Sequence, residues 1–218
     1  FDASAEPGQR IAVVGANGAG KTTLLNLAAG LDRPARGRVR IDGIAPTDLP
    51  LAQRRRMFAH VGPQSPILAG SLRRALSLGL APRPCDERLL AVARDFGLGG
   101  TIARLGGLDG RVAENGRDLS SGERSRLLLA RATLAAPRLL LIDASEGLLD
   151  PAGRHALRRL LRNIGATVLL VTQDERLARE MDAIWFMHSG RVVAAGPPAA
   201  LLDGEGAGAG FFAQREAA

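Results

Sequence analysis

Short apolar runs separated by longer amphipathic stretches set the pattern of this sequence. Arg10-Ile11-Ala12-Val13-Val14, Arg138 to Asp143, Ala166 to Thr172 and Ala183 to His188 each have the length and composition of a buried strand. Helices are predicted over Lys21 to Ala29 and near residues 151–163 and 174–181. Arg38 to Gly43 alternates like an edge strand ending in a turn, and Arg56 to Val61 reads as a strand running into Gly62-Pro63-Gln64. From Pro66 to about Pro137 the pattern is helical, with Gly/Pro breaks around residues 79–84 and 97–110. Strands alternating with helices predict an α/β fold with a mostly parallel sheet covered on both faces. The predicted organisation is one domain over residues 1–202, its core made of 1–65 and 137–202 around a helical insert of about 66–136. Residues 203–218 form a Gly/Ala-rich tail that carries Phe211-Phe212, to which no function is attached.

Composition agrees with a single folded domain. With 218 residues, 46% of them hydrophobic, the chain can bury a sizeable core. One cysteine, Cys85, excludes an internal disulfide and fits a reducing compartment. No run approaches the roughly 20 apolar residues of a membrane span, and nothing at the N-terminus reads as a signal peptide. The sequence begins on Phe1 rather than Met and is therefore expected to be part of a longer chain. A net charge of +7 raises the question of a nucleic-acid partner. The arginines are scattered through helices, however, and only seven aromatic residues are present to stack bases, so none is expected. Arg54-Arg55-Arg56 reads as a solvated helix end.

The chemistry concentrates in Gly15-Ala16-Asn17-Gly18-Ala19-Gly20-Lys21-Thr22, followed by Thr23. This is G-x-x-x-x-G-K-[ST], the phosphate-binding loop of nucleotide hydrolases, and it stands between a predicted strand and a predicted helix as that loop requires. Gly15, Gly18 and Gly20 let the backbone curl so that N–H groups, Asn17 among them, face phosphate oxygens. The helix N-terminus adds partial positive charge at the same place. Lys21 is expected to reach the β/γ-phosphates, and the Thr22 hydroxyl to hold Mg²⁺. Lys21 is the only lysine among 29 basic residues. A compact ammonium suits the interior of such a loop, whereas a planar guanidinium does not.

Two further segments extend the reading. Leu139 to Asp143 is an apolar strand ending in a carboxylate, placed to hold Mg²⁺ through water, although many buried strands end in Asp. Leu119-Ser120-Ser121-Gly122-Glu123 opens an amphipathic helix predicted from Glu123 to Ala135, and taken alone it would serve as an ordinary N-cap. Together with the phosphate loop it closely resembles the LSGGQ signature of ABC-type ATPases, and the likeness runs from Pro7 to about Leu202 with motifs in the family order. The resemblance implies a P-loop NTPase fold with a small antiparallel β region and a helical subdomain, and ATP and Mg²⁺ as ligands. It implies that Gln64 is the Q-loop glutamine touching Mg²⁺, that Asp150 is the D-loop aspartate, and that Ser120 and its neighbours meet ATP held by a second ATPase domain. Ile67 to Arg73 and Val112 to Gly116, with Glu114 as the acidic residue, resemble exporter segments. Partners implied are that second domain, as a homodimer or heterodimer, and transmembrane domains, at the cytoplasmic face of a bacterial inner membrane. A non-transport ABC-type switch or a regulatory remnant is the alternative.

The sequence departs from the family pattern at positions that matter. Ala144 stands where the catalytic glutamate follows the strand aspartate, and a methyl group cannot activate water. Gln173 replaces the switch histidine; it can donate a hydrogen bond but carries no titratable charge. Glu146 is close in sequence but is expected to project elsewhere. The family's adenine-stacking aromatic belongs to a strand that would precede Phe1. Binding of Mg-ATP with weak hydrolysis at this chain's own site is the expectation.

Overall fold

The computed structural model describes residues 2–144, 150–203 and 211–212. In chain order the elements are β1 (Arg10–Gly15), α1 (Lys21–Ala28), α2 (Leu51–Met57), β2 (Phe58–Val61), β3 (Gly70–Ser71), α3 (Leu72–Ser77), α4 (Asp86–Asp95), α5 (Gly99–Leu105), β4 (Arg111–Val112), α6 (Ser121–Ala135), β5 (Leu139–Asp143), α7 (Pro151–Asn163), β6 (Thr167–Val171), α8 (Glu175–Arg179), β7 (Ala183–His188), β8 (Arg191–Gly196) and α9 (Pro198–Leu202). The chain divides into two compact units. Phe1–Arg54, Leu139–Ser145 and Ala166–Ala218 make the first; Arg55–Arg138 and Glu146–Gly165 make the second.

The first unit is built on strands in the order β5-β6-β1-β7-β8. β5, β6, β1 and β7 run parallel, and β8 returns antiparallel along β7. Parallel strands packed on both faces need apolar residues throughout rather than alternately, and these have them. Ile11, Ala12, Val13 and Val14 are fully buried, as are Leu140, Leu141 and Ile142. Arg10 holds the start of β1 through a two-pronged bond: its Nη2 donates to Asp182 Oδ1 at 2.6 Å and its Nε to Oδ2 at 3.1 Å. The hydrogen bonds from that guanidinium, outweighing the cost of burial, hold the Asp182 carboxyl below its ordinary range. At the other end of the chain, the Phe211 ring meets Phe186 of β7 edge-on, centroids 5.1 Å apart, and Phe212 is buried beside it.

The second unit gathers around α6, which packs against α3, α4 and α7. Its buried face carries Leu127, Leu128, Leu129, Ala130 and Ala132. The small antiparallel sheet lies here, pairing Gly70 with Val112 and Ser71 with Arg111.

The edge strand expected over Arg38 to Gly43 does not form. Asp42 (φ 51°) and Gly43 (φ 80°) reverse the chain in two residues, so that Ile41 and Ile44 exchange hydrogen bonds of 2.8 and 3.0 Å and nothing longer pairs. The alternation of Val39 and Ile41 thus belongs to one arm of a turn. The break expected over 97–110 contains α5, because the positive-φ glycines that stop a helix there, Gly97 on one side and Gly106 and Gly107 on the other, flank it. β8 and α9 were not anticipated; the exposure of β8 alternates, and Val193 is left 57% exposed. Among the described residues no helix is long and apolar enough to cross a membrane.

Leu141 is fully buried in the middle of β5. Leu141→Ala is expected to destabilise the fold by about 2–5 kcal/mol, read as a lower midpoint in urea unfolding with the slope unchanged.

Candidate functional site

The phosphate loop follows directly from the burial of β1. Gly15 is the last residue of that strand and lies opposite Met187 of β7 in the register. A Cβ on Gly15 would run into the Met187 carbonyl, so glycine is required by space as well as by conformation. Gly18 and Gly20 follow with φ of 78° and 95°, values an L side chain resists. Ala19 N donates to Ala16 O at 3.1 Å, closing the loop. The turn between β7 and β8 supports it: Gly190 N donates to Ala19 O at 3.0 Å, and Gly190 Cα would lie 3.3 Å from a Cβ on Gly20. This support by Ser189-Gly190 was not legible in the sequence, where β8 carries no long apolar run.

Lys21 is buried, and its Nζ donates to the carbonyls of Gly15 at 2.8 Å and Ala16 at 2.7 Å. The ammonium is therefore held inside the loop it was expected to serve. Thr22 Oγ1 donates to Asp143 Oδ2 at 2.8 Å, and Asp143 is only 4% exposed at the end of β5. Thr23 is exposed on the first turn of α1. Two hard oxygens in contact fit Mg²⁺, which commonly takes one or two protein oxygens and completes its shell with phosphate and water. Among the described residues no cluster of three His, Cys, Asp or Glu could hold a metal by itself, so the remaining positions would fall to those groups.

Ala144 follows Asp143 and is half-buried; its N–H donates to Val171 O at 3.0 Å, which fixes the strand end without offering a polar side chain. Glu146 lies outside the described residues. Gln173, just past β6, reaches back to the loop: its Nε2 donates to Asn17 Oδ1 at 3.0 Å. Thr172 beneath it is buried and donates its N–H to Val13 O at 3.3 Å. The first unit thus brings Gly15, Asn17, Gly18, Gly20, Lys21, Thr22, Asp143, Ala144 and Gln173 to one end of the parallel strands. That is where ligands bind in open α/β sheets.

The second unit holds the remaining expected residues. Gln64 is exposed on the turn after β2, which Ser65 closes by accepting from Gly62 N at 2.9 Å. Leu119 is buried, and Ser120 caps α6. Ser120 Oγ accepts from Glu123 N at 3.1 Å while Glu123 Oε2 accepts from Ser120 N at 2.8 Å, a complete capping box. The helix therefore starts at Ser121, two residues before the expected Glu123. Oγ acts here as an acceptor, so the hydroxyl proton is left to donate outward. Gly122 is buried because the Asp150 carboxylate occupies the space a Cβ would need. Asp150 caps α7 through Gly153 N at 2.6 Å and accepts from Arg126 Nη1 at 2.9 Å.

Two arginines of α6 do work the sequence did not announce. Arg124 Nη2 donates to Pro63 O and Ser65 O, each at 3.0 Å, and Arg131 Nη1 donates to Pro66 O at 2.8 Å. They tie the Gln64 turn to the signature helix. Glu114 does the same for the exporter-like segments, accepting from Ala69 N at 2.9 Å.

Glu123 has the largest electrostatic perturbation in this group. Burial raises its pKa, but hydrogen bonds from Thr101 Oγ1 (2.7 Å), the Ser120 N–H and Arg104 outweigh that and hold it at about 2. A carboxyl lowered from 4.5 contributes stability that is complete above about 4.5 and is lost as pH falls toward 2.

The profile described as "ABC transporter" matches residues 1–145. The thiamine import ATP-binding protein ThiQ of Brucella abortus is 34% identical, over 94% of this chain and 85% of its own length. The ATP-dependent lipid A-core flippase of Alkalilimnicola ehrlichii is also 34% identical, over 93% of this chain but 35% of its own. The structure of a bacterial Atm1-family ABC exporter with ATP bound matches with a TM-score of 0.84 and 27% identity, over 97% of this chain and 38% of that one. The chain thus spans about a third of the length of those two larger proteins.

Glu123→Ala is expected to lower stability at neutral pH by about 1 kcal/mol through loss of the capping box. The difference in Tm from the parent should shrink as pH drops from about 4.5 toward 2, where the parent's own Glu123 becomes protonated. A difference that stays constant with pH would contradict the assignment.

With loop and strand aspartate in place, and with that profile and those relatives, this chain belongs to the ABC transporter family.

Proposed function

We propose that this domain binds Mg-ATP at its own phosphate loop and hydrolyses it weakly, serving as the holding site of a transporter's paired ATPase domains. The observation that carries the reading is the contrast at the ends of β5 and β6. Lys21, Thr22 and Asp143 keep the contacts a binding site needs, while Ala144 offers only a methyl group beside them. Thr22 and Asp143 would hold Mg²⁺, which supplies charge neutralisation to the phosphates. Loss of a positioned general base typically costs about 10²–10⁴ in rate. Loss of one transition-state donor costs about 10²–10³, and losses within one step do not simply add.

The same chain keeps the parts it would lend to a partner. Ser120 presents a hydroxyl proton at an exposed helix start, where backbone N–H groups and the helix dipole also favour phosphate. Head-to-tail pairing with a second ATPase domain would place that start over the partner's ATP. Gln64 would relay between Mg²⁺ and transmembrane domains, and Asp150 would lie at the pairing surface. The names of the flippase and the exporter structure support an exporter, and such a domain would work at the cytoplasmic face of a membrane.

The test is phosphate release from Mg-ATP by the parent and by the Ala144→Glu/Gln173→His variant, with nucleotide binding measured in both. A gain of at least about tenfold in the variant is expected, a conservative fraction of the general-base effect. Turnover by the parent at the variant's rate would contradict the reading and point to another base.

A further inference from the structure

We propose that Arg104 lets the start of α6 receive a partner's phosphate, by neutralising the carboxylate that Glu123 places beside Ser120. The inference rests on the pairing read above and names the group that makes its electrostatics favourable. The partner is a second copy of this chain, which carries both a phosphate loop and a signature helix start.

The difficulty lies in the residue that closes the capping box. A helix N-terminus presents about half an elementary positive charge. Glu123 sets a full negative charge against it: its Oε2 accepts from Ser120 N at 2.8 Å, while Ser120 Oγ accepts from Glu123 N at 3.1 Å. A pKa of about 2 keeps this carboxyl ionised at neutral pH. Left alone, it would outweigh the helix charge and repel a polyphosphate brought to the Ser120 hydroxyl.

Arg104 reverses the sign. Its Nη2 donates to Glu123 Oε1 at 3.0 Å and to Oε2 at 3.1 Å, so the cluster returns to about the charge of the bare helix start. The Glu123 side chain is 18% exposed and that of Arg104 47%, so the cation is the member more open to an approaching anion. Buried Thr101 donates its Oγ1 to Glu123 Oε1 at 2.7 Å, fixing the carboxylate from α5, the helix that also carries Arg104. Of the other charges at this end of α6, Arg126 is paired with Asp150, and Arg124 and Asp118 are opposite in sign. A half-exposed ion pair adds little to stability. Its larger effect is on the field that an incoming phosphate meets.

The test measures Mg-ATP-dependent dimerisation of the full chain by sedimentation equilibrium, with nucleotide affinity read separately on the single chain. Arg104→Gln is expected to weaken dimerisation at least about tenfold, while its nucleotide affinity, set at the phosphate loop, stays within about threefold of the parent. Glu123→Gln, which keeps the capping box, should pair at least as tightly as the parent. Arg104→Gln/Glu123→Gln should recover to within about threefold of it, because the charge to be neutralised is gone. Arg104→Lys, which keeps the charge without the forked geometry, should also pair within about threefold of the parent. An equal loss in Arg104→Gln and the double variant would overturn the proposal, since the joining of α5 to α6 would then explain it. Unchanged dimerisation or loss of folding in Arg104→Gln, or a loss in Arg104→Lys as large as in Arg104→Gln, would overturn it too. A parent that binds Mg-ATP and stays monomeric would do the same while leaving nucleotide binding intact. A parent that binds no Mg-ATP would instead overturn the ATP-binding reading itself.

Discussion

The phosphate loop depends on the close approach of Gly15 to the Met187 carbonyl. β1 must run fully buried between β6 and β7 to bring the loop to the ends of the parallel strands, and at its last residue there is no room for a side chain. From that point the chain curls through positive φ at Gly18 and Gly20, and the Ser189-Gly190 turn closes against it from below. The loop is thereby shaped by the sheet before any nucleotide is considered. Lys21, bonded to two loop carbonyls, and Thr22, bonded to Asp143, are fixed by the same frame. Preorganisation of this kind reduces the ordering a ligand must impose when it binds.

A second constraint acts at the start of α6. Glu123 closes the capping box with Ser120 and accepts from Thr101 and Arg104, so its carboxylate holds the helix start and α5 together. Behind it Asp150 fills the space beside Gly122 and is held by Arg126. The family's glutamine at the position of Glu123 is neutral, whereas here an ion pair does the joining. The signature is thus altered at two of its five residues, Ser121 and Glu123, without losing the N-cap that presents Ser120.

Much of this was readable in advance, for physical reasons. Fully buried parallel strands leave long apolar runs, so β1, β5, β6 and β7 were visible, and the phosphate loop carries its mechanism in its glycines and its one lysine. What the sequence hid depended on partners far along the chain. Val39 and Ile41 alternate as a strand would, but Asp42 and Gly43 turn the chain before a ladder can form. β8 exists because it pairs with β7, not because of its own pattern. The bonds of Arg124 and Arg131 to the carbonyls of residues 63–66 could not be read from an arginine-rich sequence, where nothing local marks which guanidinium meets a carbonyl. The contact of Gln173 with Asn17 spans 156 positions and left no local sign.

The central claim is that this site holds ATP and consumes it only slowly, and the bound nucleotide reports on that directly. The chain would be loaded with Mg-ATP, freed of excess nucleotide by rapid desalting, incubated and then denatured so that the released nucleotide can be identified. Recovery mainly of intact ATP, retained in proportion to protein and lost in Lys21→Ala, is the predicted result. Recovery mainly of ADP with released phosphate, on the time scale of an ordinary ATPase cycle, would contradict the account.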